Sequence, residues 1–133
     1  ETLRKAVAIN DDFVEGFVLI GTALNQLGRH GEAIAPLQRA VTLESKNADA
    51  HYRLAESHLG VGSLRDAVIS GKRAVGLQRD FHAAEVILAD AHYKLGQMDE
   101  ARRLYTAAST DSRFKDYCQH QLEEMDRPVV EGE

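Results

Sequence analysis

Six histidines and one cysteine are the residues of this chain with the widest chemical reach. Imidazoles bind metals and move protons near neutral pH, and a thiolate attacks electrophiles. Their spacing argues against all of these activities. His51 and His58 lie seven residues apart on one predicted helix. That is about 10 Å along the axis, too far to share a zinc ion with bonds near 2 Å. His58 and His92 could approach each other across neighbouring helices, yet no cysteine or third ligand joins them at metal-site spacing. Cys118 has no disulfide partner in the chain and no activating base at a recognisable distance; it lies on an apolar stripe, as a packed small side chain would. Gly28 and the Gly60-Val61-Gly62 stretch follow no strand and precede no Lys-Ser/Thr pair, so they do not read as phosphate cradles. The expectation is a non-catalytic chain with structural histidines, no metal site and no cofactor.

The bulk composition narrows the partners. The chain has 133 residues, 44% of them apolar, enough for one domain with a moderate core. Against 16 Lys and Arg stand 21 Asp and Glu, and the basic residues are dispersed as short pairs such as Lys72-Arg73 and Arg102-Arg103. Nucleic-acid binding draws on a concentrated basic face, so nucleic acid is not an expected partner. No apolar stretch approaches the roughly 20 residues of a membrane helix, so no membrane insertion is expected. The compartment is not fixed by these residues; a soluble chain with a slight lean to the cytoplasm is the reading they favour.

The elements that must position the polar residues are written as a repeat. Gly28, Gly62 and Gly96 are 34 residues apart, as are Glu32, Asp66 and Glu100, the alanines 33, 67 and 101, and the alanines 40, 74 and 108. A period of this size marks a helical solenoid, in which each unit buries its apolar face by stacking on the next. In each copy a first stripe runs at helical spacing: Phe17, Ile20, Gly21 and Leu24; His51, Leu54, Ala55 and His58; Glu85, Leu88, Ala89 and His92. The glycine after each stripe suits a left-handed helix stop. A second helix then starts near the acidic residue, where negative charge meets the positive end of the helix dipole. Its apolar face is Ala33, Leu37, Ala40, Val41 and Leu43 in the first copy, and Ala67, Gly71, Ala74, Val75 and Leu77 in the second. Pro36 falls inside a second helix and is expected to bend or delay it.

The in-phase recurrence of small residues at the eighth (Gly21, Ala55, Ala89), twentieth and twenty-seventh positions, with apolar Ile20, Leu54 and Leu88 at the seventh, resembles the tetratricopeptide repeat. The resemblance covers nearly the whole chain. It departs from the family pattern at the fourth position, where Phe17, His51 and Glu85 replace the usual Trp, and between repeats, where Ser45 and Arg79 replace the usual Pro. It implies an all-α, right-handed superhelical solenoid of antiparallel helix-turn-helix units. The expected layout is a half repeat over 1–13, repeats over 14–47, 48–81 and 82–115, a capping helix over 116–126 and a flexible tail over 127–133.

The resemblance also implies a concave groove lined by the first helix of each repeat. Carried onto this sequence, the groove comprises Val18, Leu19, Thr22, Asn25 and Gln26, then Tyr52, Arg53 and Glu56, then Val86, Ile87, Asp90, Tyr93 and Lys94. Its apolar members exceed what a solvated face needs, which points to a protein or peptide partner. Family members that clamp an acidic C-terminus use Lys, Asn and Arg where this chain has Val18, Thr22, Arg53, Ala83 and Ile87. That clamp is absent. The implied function is a protein-protein interaction module within a larger scaffold or multi-domain protein. The alternative is a structural spacer or a homo-oligomer joined through the N-terminal edge.

Overall fold

The computed structural model describes the backbone of residues 2–128 and the side chains of residues 13–128. Seven α-helices and no strand occur among these residues: α1 (Thr2–Gln26), α2 (His30–Leu43), α3 (Ala48–Val61), α4 (Leu64–Leu77), α5 (His82–Lys94), α6 (Met98–Ala108) and α7 (Lys115–Asp126). Helices α1 and α2, α3 and α4, and α5 and α6 pack as hairpins; α2 on α3, α4 on α5 and α6 on α7 join them into a solenoid.

Each hairpin is closed by the same backbone joint. Gly28, Gly62 and Gly96 hold φ of 77°, 82° and 80°, values open to glycine at little steric cost. Around Gly28 the amide donates to the Asn25 carbonyl at 3.0 Å, and the Arg29 amide donates to the Leu24 carbonyl at 2.8 Å. The pattern repeats from Gly62 to Leu59 and Ser63 to His58, and again from Gly96 to Tyr93 and Gln97 to His92. This paired arrangement satisfies the last carbonyls of the helix. The next helix then begins at His30, Leu64 or Met98, again 34 residues apart, with Glu32, Asp66 or Glu100 in its first turn.

Pro36 does not delay α2, which begins and ends in the same register as α4. It lacks the donor that would bond the Glu32 carbonyl, but the flanking Ala33, Leu37 and Ala40 are fully buried and hold the helix against its neighbours. The N-terminal layout also differs from expectation. Residues 2–13 continue α1 and do not stand as a separate half hairpin. No Gly or Pro lies between Ile9 and Val14, so nothing local interrupts the helical bonds. The side chains of residues 1–12, and the tail from 129 to 133, lie outside the described residues.

Alanines set the interhelical distances. Ala33, Ala40, Ala55, Ala67, Ala74, Ala89, Ala101 and Ala108 have no exposed surface. Gly21 lets the first pair approach as closely: a Cβ there would overlap the Leu37 side chain. Ala67→Leu should therefore overpack the second hairpin and cost about 1–3 kcal/mol. A melting curve matching wild type would contradict that placement.

One position behaves differently in the first repeat. Leu54 and Leu88 are 3% and 2% exposed, whereas their equivalent Ile20 is 53% exposed. Helix α2 covers α3 and α4 covers α5, but no described residue covers that side of α1. Phe17, Ile20, Leu24, Ala35 and Pro36 consequently line an open apolar hollow. Leu43, expected on the buried face of α2, is also exposed.

Candidate functional site

Helices α1, α3 and α5 lie side by side, α1 against α3 and α3 against α5, so their shared face is continuous. Leu19, Gln26 and Lys94 are exposed on it, and Val18, Thr22, Tyr52, Arg53, Glu56, Ile87, Asp90 and Tyr93 are half-buried. Two residues expected there are not available. Val86 is 8% exposed and belongs to the core cluster that contains Leu104, Tyr105 and Cys118. Asn25 is 6% exposed.

Asn25 is a clip between the first two repeats. Its Nδ2 donates to the Arg53 backbone carbonyl at 3.1 Å and to Glu56 Oε1 at 3.2 Å. Its Oδ1 accepts from the Ser57 hydroxyl at 2.8 Å and from His30 Nδ1 at 2.9 Å, which assigns the His30 proton to that nitrogen. A side chain so engaged has no free amide for a peptide backbone. Arg53 is also held by its own helix, with Asp49 at 3.5 Å, Glu56 at 3.6 Å and the Tyr52 ring centroid at 4.8 Å. Tyr52 in turn leans on Phe81 across 5.1 Å. With Arg53 neutralised by Asp49 and Glu56, the carboxylates of Glu15 and Asp90 tip the face toward negative charge.

At the far end the face deepens into a cavity of about 400 Å³ between α5, α6 and α7. Asp90 anchors it. The Tyr105 hydroxyl donates a short hydrogen bond to Asp90 Oδ1, and the Tyr117 hydroxyl donates to the same oxygen at 2.8 Å. Burial raises the Asp90 carboxyl above the usual aspartate range, and the two phenol donors pull it part of the way back. Burial likewise pushes both phenols upward, with the Asp90 carboxylate adding to the effect. Tyr105 and Tyr117 come from a second-helix position and from the capping helix, outside the first-helix positions that the repeat pattern assigns to the groove.

The other chemically versatile side chains are structural. Cys118 has no exposed surface, and burial pushes its thiol up to about 11, leaving it protonated and unreactive near neutral pH. His92 Nδ1 lies 2.6 Å from Gln97 Oε1, and His51 Nε2 lies 2.9 Å from the Ser45 carbonyl. Among the described residues no three His, Cys, Asp or Glu side chains gather as metal ligands, and no helix is long and apolar enough to cross a membrane.

Comparisons with known proteins place this architecture. A family model described as TPR repeat matches residues 21–62, and one described as Tetratricopeptide repeat matches residues 52–113. Anaphase-promoting complex subunit 7 of Homo sapiens is 34% identical over 65 residues, which are 49% of this chain and 12% of that protein. The chain thus matches only a small part of this curated relative. Among solved structures, a type III secretion complex from Aeromonas hydrophila superposes with a TM-score of 0.79 at 18% identity, covering 92% of this chain and 94% of that one. The second TPR of Spaghetti (RPAP3), bound to the HSP90 peptide SRMEEVD, gives 0.73 at 19% identity, covering 81% and 96%. MamA gives 0.71 at 22% identity, covering 80% and 63%. At these identities the structural likeness concerns the fold.

Proposed function

We propose, from the premise that this chain belongs to the tetratricopeptide-repeat family, that it is a protein-interaction module whose α1-α3-α5 face takes an extended or helical segment of a partner. The observation that carries this reading is the apolar run along that face. Leu19 is 63% exposed, and half-buried Val18, Tyr52 and Ile87 continue it beside the carboxylates of Glu15 and Asp90. Contiguous exposed apolar surface rimmed by charge suits a docking segment, here one with apolar anchors and basic residues. An acidic segment such as the one bound by the Spaghetti domain fits poorly, because Val18, Thr22, Ala83 and Ile87 offer it no charge and Arg53 is already paired.

Leu19→Lys combined with Ile87→Lys places two cations on this face without entering the core. The double variant should keep wild-type helical content by circular dichroism and lose the proteins that wild type retains from a native lysate. Unchanged retention would remove the groove from the reading. Val86 is unsuited to such a test, since a charge at that buried position would attack the fold itself.

The open hollow around Ile20 supports a second reading, self-association through the uncovered side of α1. Light scattering separates the two: a mass that rises with protein concentration favours self-association.

A further inference from the structure

The cavity at the α5-α6-α7 end has the walls and the charge of a cation receptor. The Tyr105 ring stands at 80° to Tyr93 and at 69° to Tyr117, with centroids 6.4 and 6.3 Å away, so three aromatic rings meet at steep angles. Tyr93 and Tyr117 line the space with the fully buried Tyr105 packed behind them, together with Asp90, Lys94 and Glu124. Both phenols donate to Asp90 Oδ1, and Oδ2 receives no hydrogen bond from the described residues. A partly buried carboxylate with one oxygen free of hydrogen bonds can take a further charged partner, since Lys94 acts on it only from beyond ion-pair distance. Aromatic rings attract cations through their negative faces, and a carboxylate strengthens that attraction.

We propose that this cavity holds an alkylammonium group of the partner, a lysine side chain or its methylated form, against Asp90 and the rings of Tyr93 and Tyr117. The inference deepens the groove reading and rests on it for the identity of the ligand as part of a protein. The neighbouring charges act in opposite directions, Asp90 drawing a cation in and Lys94 lowering the gain. Glu124 is paired with Arg127 at 2.8 Å, and Lys94, which also lines the cavity, is exposed and forms no ion pair among the described residues. An anion placed directly against Asp90 would meet a carboxylate that no ion pair among the described residues neutralises. A neutral group would leave that charge uncompensated.

Tetramethylammonium chloride is the probe, with tert-butanol as its uncharged analogue, and binding is read by amide chemical shifts of the whole chain. Saturable shifts are expected at Asp90, Tyr93 and Tyr117 with the ammonium and not with the alcohol. Asp90→Asn should weaken the apparent affinity by about tenfold, as loss of a charged partner implies. Tyr117 is 44% exposed, so its replacement leaves the fold in place if Asp90→Asn does not. Tyr117→Leu should then weaken binding more than Tyr117→Phe, which keeps the ring. Absent shifts, an equal response to tert-butanol, or equal binding by the two Tyr117 variants would overturn the proposal. Leu19→Lys alone, on α1 and outside the cavity lining, should bind the ammonium as wild type does, so failure of the groove and failure of this receptor give different results.

Discussion

Tyr105→Ala should lower the free energy of unfolding by about 3–5 kcal/mol, the range for truncating a buried large aromatic side chain. Tyr105 has no exposed surface and sits where α5, α6 and α7 meet. Its ring packs edge-on to both Tyr93 and Tyr117, and such pairs add to the area they bury. Its equivalents in the first two repeats are Leu37 and Gly71, so the third repeat carries the largest core side chain at this position. The cost exceeds that of lost apolar area alone, because the variant also deprives the half-buried Asp90 carboxylate of a donor. Urea unfolding should show a lower midpoint with an unchanged slope, which separates lost stability from a change in the surface exposed. Tyr105→Phe should cost only about 1 kcal/mol, since it removes the hydroxyl and keeps the ring. A Tyr105→Ala midpoint within error of wild type would show that this ring does not organise the C-terminal end.

Asn25→Leu is expected to cost about 2–4 kcal/mol, although it adds an apolar side chain to a largely buried site. The substitution keeps the approximate volume and removes one acceptor and two donated bonds. The Ser57 hydroxyl can turn its one proton to the Arg53 carbonyl, 3.1 Å away, but His30 Nδ1 and Glu56 lose the amide that links them. Leaving such groups unpaired in a buried place is costlier than never having had them. The bonds run from α1 and the start of α2 to α3, so the loss falls on the coupling between the first and second repeats. Thermal unfolding should become broader as well as earlier, because weaker interfaces reduce the cooperativity of a repeat array. A variant as stable and as cooperative as wild type would mean that packing alone joins these repeats.

The frame of the fold was legible because its signals are local and recur. A glycine after each first stripe predicts a positive φ, and Gly28, Gly62 and Gly96 have it. An acidic residue in the first turn marks each second helix, and the small residues at 33, 67 and 101 are fully buried as close helix contacts require. Burial that depends on a neighbour was less legible. Ile20 carries the same pattern as Leu54 and Leu88, but a stripe is buried only where another helix covers it. The groove suffered from the same limit. Position alone put Asn25 and Val86 on the open face, whereas the reach of an amide to Ser57 and the meeting of α5 with α6 and α7 decided otherwise. The tyrosines around Asp90 were out of view because they meet only when three helices from different parts of the pattern converge.

The joint that closes each hairpin has a consequence for how such a chain can diversify. Its hydrogen bonds join backbone to backbone and require only glycine, so it is nearly blind to the side chains beside it. Val18, Tyr52 and Val86 occupy one position, as do Thr22, Glu56 and Asp90, or Gln26, Gly60 and Lys94, and each trio spans different chemistry in the same frame. Substitutions can therefore accumulate on the face of one repeat without disturbing the joint of the next, except where a side chain such as Asn25 bonds across to Glu56. Recognition in such a chain can drift one hairpin at a time.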